Sequence, residues 1–94
     1  MNSTSEFALL VDKLARRGYP RTKLLSEVHD EILYEYKRLY PGKPQNVAVV
    51  VSEETGEIKL LSNHEDVTPA EFIPLSEKIA KDLLVKKLKS DKEK

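Results

Sequence analysis

The 94-residue sequence contains no cysteine, and this absence excludes disulfides, iron–sulfur clusters, cysteine zinc sites and thiol nucleophiles. It has only two histidines, His29 and His64, which are too few for a metal site built on imidazoles. No uninterrupted apolar run exceeds five residues, whereas a helix needs roughly 20 apolar residues to cross a bilayer. We expect neither a signal peptide nor a membrane partner, and therefore a cytoplasmic protein.

Positive and negative charges balance over the whole chain but not along it. Sixteen basic and sixteen acidic residues give a net charge of zero. Residues 1–45 carry +2, residues 46–72 carry −5 and residues 73–94 carry +3. A module that binds nucleic acid tightly on its own is usually more basic than this. Autonomous tight binding to nucleic acid is therefore not expected.

The spacing of the apolar residues predicts two helices joined by a short turn. Residues 5–17 form the first, which ends because Gly18 suits a C-cap and Pro20 prevents the helix from resuming. Residues 22–40 form the second. Its predicted apolar face consists of Leu25, Val28, Ile32, Tyr36 and Leu39. Because only about four residues separate the two helices, we expect an antiparallel helical hairpin.

Two short segments with apolar residues at alternate positions predict a β-hairpin. Residues 46–52 carry alternating valines, and residues 57–62 place Ile58 and Leu60 on one face. Gly56 lies in the turn between them and is available for positive φ. Because two strands alone are marginal in water, we expect the helices to cover one face of the hairpin.

The last third of the sequence predicts an acidic loop, one isolated helical turn and a final helix. The loop covers residues 63–66, and a capping box then starts a single turn that Pro74 ends. Residues 75–88 form an amphipathic helix whose apolar stripe is wide enough to contact more than one neighbour. Residues 89–94 are expected to be frayed. The predicted fold is α+β, a single domain over residues 1–94 in which the final helix packs on the helical hairpin and the β-hairpin.

The residue types that catalysis requires are not grouped in this sequence. Its three glycines are isolated, so there is no Gly-rich phosphate loop. His64 lies beside Glu65 and Asp66, but a solvated acidic loop accounts for this group, since no second histidine is near it. Catalysis needs groups that converge in a pocket, and two short strands with three helices offer little concavity. We predict a protein that is not an enzyme and that binds no cofactor or metal.

Two large side chains are predicted to lie on the outer face of the helical hairpin. At 100° per residue, Tyr34 points away from the apolar stripe of the second helix and is flanked by Lys37 and Arg38. Leu9 points outward on the first helix. A single exposed Leu or Tyr is ordinary, but two on one hairpin among basic groups indicate a partner-binding surface. A dimerisation surface made of Leu9, Tyr34 and Val85 is an alternative.

Four basic residues are concentrated where the first helix ends and the second begins. Arg16, Arg17, Arg21 and Lys23, here called the basic corner, have no acidic residue among them. Such a corner can bind phosphate or an acidic protein patch, and a merely solvated corner explains it equally well. A small RNA-binding module that uses the basic corner is a second alternative, and its affinity for RNA would fall steeply with salt.

Four segments of the sequence form a recognisable combination. They are Arg21 to Leu25, the helix end Tyr36 to Tyr40, the valine-rich strand Asn46 to Val51, and the turn Glu54 to Ile58. Their order and composition resemble the N-terminal domain of the NusA family of bacterial transcription factors. The resemblance covers residues 6–62. NusA proteins continue into an OB-type domain and paired KH domains, whereas residues 73–88 of this chain predict a Lys-rich amphipathic helix.

The resemblance implies a role in transcription elongation, pausing, termination and antitermination. The N-terminal domain of the family binds RNA polymerase beside the RNA exit channel, at the flap of the β subunit. For this chain the resemblance therefore implies RNA polymerase as the partner. A weak contact with nascent RNA while the domain is on polymerase is a separate hypothesis, which rests on the basic corner. The family has no single motif to map here, so the implied surface is regional. Together with the helical geometry, it predicts a partner-binding set of Leu9, Arg16, Arg17, Arg21, Lys23, Tyr34, Lys37 and Arg38.

Overall fold

The computed structural model describes residues 5–92 and has the predicted α+β architecture. Its elements in chain order are α1 (Glu6–Arg16), α2 (Arg21–Leu39), β1 (Ala48–Val51), β2 (Ile58–Ser62), β3 (Glu65–Asp66) and α3 (Phe72–Lys92). The strands form one antiparallel sheet in the order β1-β2-β3, and α3 packs against α1, α2 and β2. The predicted fold class is confirmed, with changes in the sheet and in the last helix.

The turn between α1 and α2 depends on a glycine at one position. Gly18 has φ +106°, and the N–H groups of Gly18 and Tyr19 donate to the carbonyl oxygens of Ala15 and Leu14 (3.0 and 3.2 Å). These two bonds form a Schellman motif, which closes a helix through a left-handed residue that is usually glycine. Pro20 then caps α2 with extended backbone. The observed bounds of α1 and α2 lie within one residue of the predicted ones.

A third strand replaces part of the predicted acidic loop. Asn63 and His64 have positive φ values of 52° and 67° and form the two-residue turn of a tight hairpin. Ser62 therefore pairs with Glu65 in β3. The prediction of an irregular loop was wrong because this turn lacks glycine, its usual sequence signal. Asparagine and histidine are among the residues that adopt this backbone conformation more readily than most.

Helix α3 is continuous from Phe72 to Lys92, so the predicted break at Pro74 is wrong. Pro74 is the third residue of the helix, and the backbone N–H groups of a first turn have no intrahelical acceptor. A proline at this position therefore costs no helical hydrogen bond. The helix also continues through residues 89–92, beyond its predicted end, and residues 93–94 lie outside the described residues.

The core lies between the three helices and one face of the sheet. Most of the predicted stripe of α2 is buried, but Leu24 is buried in place of Leu25, and Leu39 is 38 % exposed. The difference arises because α2 packs against α3, β1 and α1, so three neighbours set its buried face. The buried apolar residues are Phe7, Leu10, Val11, Leu14, Leu24, Val28, Ile32, Tyr36, Ile58, Leu60, Phe72, Ala80 and Leu84.

A cluster of three aromatic rings joins the end of α2 to the start of α3. The ring centroid of Phe72 lies 6.0 Å from that of Tyr36 and 5.6 Å from that of Tyr40. Tyr36 is fully buried, its hydroxyl donates a 2.8 Å hydrogen bond to the carbonyl oxygen of Pro44, and burial raises its pKa. Phe72 was not predicted as a core residue, because it was expected to lie in an isolated turn.

Candidate partner-binding surface

Tyr34 lies on the outer face of α2, as the helical period predicts. It is 63 % exposed, more than any other large hydrophobic side chain among residues 5–92. The core therefore gains little from this ring. A tyrosine in such a position presents a stiff apolar surface with a polar hydroxyl, a combination that is enriched among interface hot spots.

The two basic residues that follow Tyr34 differ in their contacts. Lys37 is exposed. Arg38 donates to Glu35 through Nη2 (2.6 Å) and Nε (3.1 Å), and this ion pair raises the pKa of Arg38. An exposed pair of this kind contributes little to stability. A partner carboxylate can therefore reach Lys37 directly but must compete with Glu35 for Arg38.

Leu9 lies on the outer face of α1 and is 47 % exposed, as predicted. Val85, the third member of the alternative dimerisation surface, is instead partly buried against the core. The prediction was wrong for Val85 because α3 contacts both α1 and α2, so it buries more of its circumference than a helix with one neighbour. That alternative surface therefore loses one of its three residues.

The four residues of the basic corner are all exposed and surround the turn between α1 and α2. Arg16 ends α1, Arg17 is its C-cap, and Arg21 and Lys23 lie in the first turn of α2. That first turn contains no acidic residue. Because positive charge is unfavourable at the N-terminus of a helix, the stability of α2 does not explain Lys23.

Arg21 is engaged in two ion pairs and is not a free cation of the basic corner. Its guanidinium donates to Asp12 on α1 and, at 3.2 Å, to Glu53 in the β1–β2 turn. The hydrogen bond to Asp12 is the main cause that raises the pKa of Arg21. The prediction of a corner without acidic partners is therefore wrong for Arg21, since folding brings Glu53 from 32 positions away. Arg21 connects α1, α2 and the β-hairpin.

Helix α3 places one lysine beside the basic corner. Lys87 donates to Glu27 on α2 (2.7 Å), and its Nζ lies 5.5 Å from the ring centroid of Tyr19 in the α1–α2 turn. These contacts hold Lys87 next to the corner, where its charge is already paired with Glu27. This position of Lys87 could not be predicted, because no local pattern relates it to Tyr19, which lies 68 positions earlier in the chain.

A shallow groove of about 270 Å³ lies between α2 and α3. It is lined by the half-buried Ile79 and Leu83 and by the polar residues Glu31, Asp82 and Lys86. Sites for small molecules are usually larger, about 300–1,000 Å³, and enclose most of the ligand. This groove is better suited to one or two side chains of a protein partner.

The predicted site residues fall into two groups at opposite ends of α2. The basic corner lies at its N-terminus, whereas Tyr34, Lys37 and Arg38 lie in its C-terminal half. From Arg21 to Tyr34 the helix rises about 20 Å along its axis. A single partner that contacts both groups must therefore span about 20 Å of α2.

The two histidines lie apart from both groups. His64 is exposed in the β2–β3 turn, and His29 is half-buried on α2. Within residues 5–92 no group of three or more His, Cys, Asp or Glu side chains is placed to hold a metal ion. No helix in the same range combines the length and the apolar character that crossing a bilayer requires.

Comparison with solved structures finds a match over almost the whole chain. The solution structure of the N-terminal domain of NusA from B. subtilis superposes with a TM-score of 0.66, covering 93 % of this chain and 98 % of that one. The chain has the fold of the NusA N-terminal domain. The sequence identity is 16 %, so the likeness concerns the fold and not individual side chains. No sequence-family model and no curated protein sequence matches the chain.

The match to the NusA domain extends beyond the segments that resemble it in sequence. The resemblance in sequence ends at residue 62, and coverage of 93 % requires that α3 is included as well. Helix α3 is therefore part of the shared fold. This Lys-rich helix was predicted to depart from NusA, and the coverage of the match shows that the prediction is wrong.

Proposed function

We propose that residues 1–94 act as one NusA N-terminal-like domain that binds bacterial RNA polymerase and modulates elongation, pausing and termination. The observation that carries the proposal is the fold, which matches the NusA domain over nearly the full length of both chains. The family-like segments between residues 21 and 58 support it from the sequence. In this proposal the partner element is the flap of the β subunit.

The proposed contact surface is the outer face of α2 around Tyr34. Its ring is largely exposed and is not needed by the core, so it is free to enter a pocket of the partner. Lys37 places a positive charge beside the ring, suited to an acidic rim. Leu9 supplies a second exposed apolar side chain on α1.

The substitution Tyr34→Ala tests this surface. Binding of the purified chain to immobilised RNA polymerase should weaken by at least ~1–2 kcal/mol, about five- to thirtyfold in Kd, if Tyr34 is an anchor. The thermal midpoint should move little, because the side chain is 63 % exposed. Tyr34→Phe is the matched control, since it keeps the ring and removes only the hydroxyl.

Two results would distinguish a wrong function from a wrong contact surface. Failure of the wild-type chain to bind polymerase contradicts the proposed function. Unchanged binding by Tyr34→Ala, with a large loss of stability, shows instead that the ring is structural and that another face makes the contact. Polymerase that lacks the flap tests the finer assignment, because binding should then be lost.

The basic corner supports a second role, a weak contact with nascent RNA while the domain is on polymerase. The observation in its favour is that Arg16 and Lys23 are exposed at one turn and enter no ion pair among residues 5–92. Phosphate groups are the RNA feature that lysine and arginine side chains bind without sequence preference. Arg21 is a poor residue for testing this role, because its two ion pairs join three elements.

Charge reversal at Arg16 and Lys23 is the sharper test of RNA contact. Both residues are exposed, so the double variant should fold normally and shorten hairpin-dependent pauses in a transcription assay. Reversal of Lys43 and Lys59 changes the net charge equally, away from the corner, and should leave pausing unaltered. Unchanged pausing by the corner variant removes RNA from the proposal. Salt-sensitive RNA binding without polymerase would favour a separate RNA-binding module.

A further inference from the structure

The sheet has two edges, and they differ in their protection against pairing with another chain. β3 forms one edge with two residues, Glu65 and Asp66, both of which are charged. β1 forms the other edge, and residues 47–52 contain neither a charged residue nor a proline. Very short strands, charges and prolines are the usual devices that prevent edge pairing. β3 has this protection, whereas the apolar strand β1 has neither charge nor proline.

The register shows which backbone groups of β1 point outward. The Ser52 N–H donates to the Glu57 carbonyl oxygen (2.8 Å), so hydrogen-bonded and non-hydrogen-bonded pairs alternate from that point along β1 and β2. Val49 and Val51 fall in non-hydrogen-bonded pairs. Their N–H and C=O groups therefore point away from β2, towards the open edge.

The hydrogen bonds of Leu60 support this alternation. Leu60 is opposite Val49, yet its N–H donates to the Thr68 hydroxyl (2.8 Å) and its carbonyl oxygen accepts from the Val67 N–H (2.8 Å), on the side away from β1. Among residues 5–92 the outward groups of Val49 and Val51 have no hydrogen-bond partner. Unpaired backbone groups along an apolar strand are a template for the addition of another strand.

We infer that β1 pairs with β1 of a second copy of this chain, antiparallel, across a two-fold axis at Val50. In this register Val49 of one copy exchanges both backbone hydrogen bonds with Val51 of the other, and symmetry repeats the pair. Val50 meets its own counterpart in a non-hydrogen-bonded pair, where side chains are closest. Val50 is 45 % exposed and lies with Ala48 on the sheet face opposite the core. The hydrogen-bonding groups of β1 therefore match those of the same strand in a second copy.

Charges near the ends of β1 favour the antiparallel arrangement. Lys43 precedes the strand and Glu54 follows it, whereas the neighbouring Glu53 is already paired with Arg21. Antiparallel pairing brings the start of one strand beside the end of the other, so each Lys43 approaches the acidic turn of the second copy. A parallel arrangement would instead bring the two acidic turns together, which is unfavourable.

The short length of β1 limits the strength of this dimer. Four paired residues on each side bury well under the roughly 1,000 Å² that a stable protein interface needs. The association is therefore weak and reversible, and it becomes substantial only at high protein concentration.

A single engineered thiol reports this contact, because the chain has no cysteine of its own. In Val50→Cys the two Cβ atoms of a dimer would lie about 4.5–5.5 Å apart, close to the separation in a disulfide. Ile73→Cys is the matched control, since Ile73 is 41 % exposed on α3, which does not pack on β1. With diamide as oxidant, Val50→Cys should form disulfide dimers about tenfold faster, because pairing raises the local thiol concentration.

Sedimentation velocity over a range of concentrations is the second measurement. The wild-type chain should sediment faster as its concentration rises. Val50→Lys should remain monomeric with an unchanged circular dichroism spectrum, because it places two like charges on the axis and leaves the core intact. The proposal is overturned if the wild-type chain stays monomeric at its highest soluble concentration. It is equally overturned if the two cysteine variants oxidise at the same rate, or if Val50→Lys associates like the wild type.

Discussion

Replacing Gly56 by alanine should destabilise the domain more than the same change at Gly18. Gly56 has φ +78° in the β1–β2 turn, and an added Cβ would lie 3.0 Å from the Cβ of Phe7. Phe7 is buried in the first turn of α1, so it cannot move away freely. Gly18 has φ +106°, with nothing within 4 Å of an added Cβ. The two variants share backbone strain, and only Gly56→Ala adds a steric clash.

The expected magnitudes follow from these two contributions. Alanine in left-handed backbone costs about 1–2 kcal/mol, and the reduced freedom of the unfolded chain offsets about 0.4–1 kcal/mol of this. Gly18→Ala should therefore lower the free energy of unfolding by about 1 kcal/mol. Overpacking against Phe7 adds about 1–3 kcal/mol, so Gly56→Ala should cost about 2–4 kcal/mol. The φ of Gly18 is farther from the left-handed minimum, so strain alone would make Gly18→Ala the worse variant.

Urea unfolding followed by circular dichroism gives both free energies, and thermal melts provide a second measure. Each kcal/mol should lower Tm by roughly 4–8 °C in a domain of this size. Equal losses, or a larger loss for Gly18→Ala, would refute the reasoning that Phe7 packs closely against the β1–β2 turn. That packing also matters for the candidate site, because the same turn carries Glu53 to Arg21.

Three other changes test the rest of the fold. Phe72→Ala should lower the free energy of unfolding by about 3–5 kcal/mol in urea titrations, because it leaves a cavity beside two tyrosine rings; a loss typical of a surface site would contradict its place in the core. Hydrogen bonds from Thr68 hold the pKa of Asp66 in the folded protein below its ordinary value. These bonds therefore stabilise the fold at pH values above the pKa that Asp66 has in the unfolded chain. This stability is lost as the pH falls through the pKa of Asp66 in the folded protein. Asp66→Asn should therefore be less stable at neutral pH, and its unfolding curve should converge with that of the wild type in acid; a constant difference at all pH values would exclude this cause. Pro74→Ala should change the stability by less than about 1 kcal/mol, and a much larger loss would show that α3 depends on the proline.

Features that depend on neighbouring residues could be predicted from the sequence. The bounds of α1 and α2 were predicted within one residue because their caps and apolar spacing are local properties. The inward faces of Ile58 and Leu60 follow from the alternation of side chains along a strand. The exposure of Tyr34 follows in the same way from the period of the helix.

Features that depend on distant residues could not be predicted. The extension of α3 through Pro74 became clear only from the buried position of Phe72, which contacts the end of α2. β3 was missed because a turn of asparagine and histidine has no strong local signal. The basic corner was predicted from composition, but Glu53 and Lys87 reach it only after the chain folds.

The sequence by itself determined the presence of three helices, the β1–β2 hairpin, the side of β2 that faces the core, and the concentration of basic residues at one turn. Only the tertiary structure decided that Arg21 is paired while Lys23 stays exposed, and that Lys87 of α3 lies beside the same turn. It also decided that β1 is an edge strand. The physical reason is range: helical and strand periods act over a few residues, whereas ion pairs and sheet order act between groups close in space, whatever their separation along the chain.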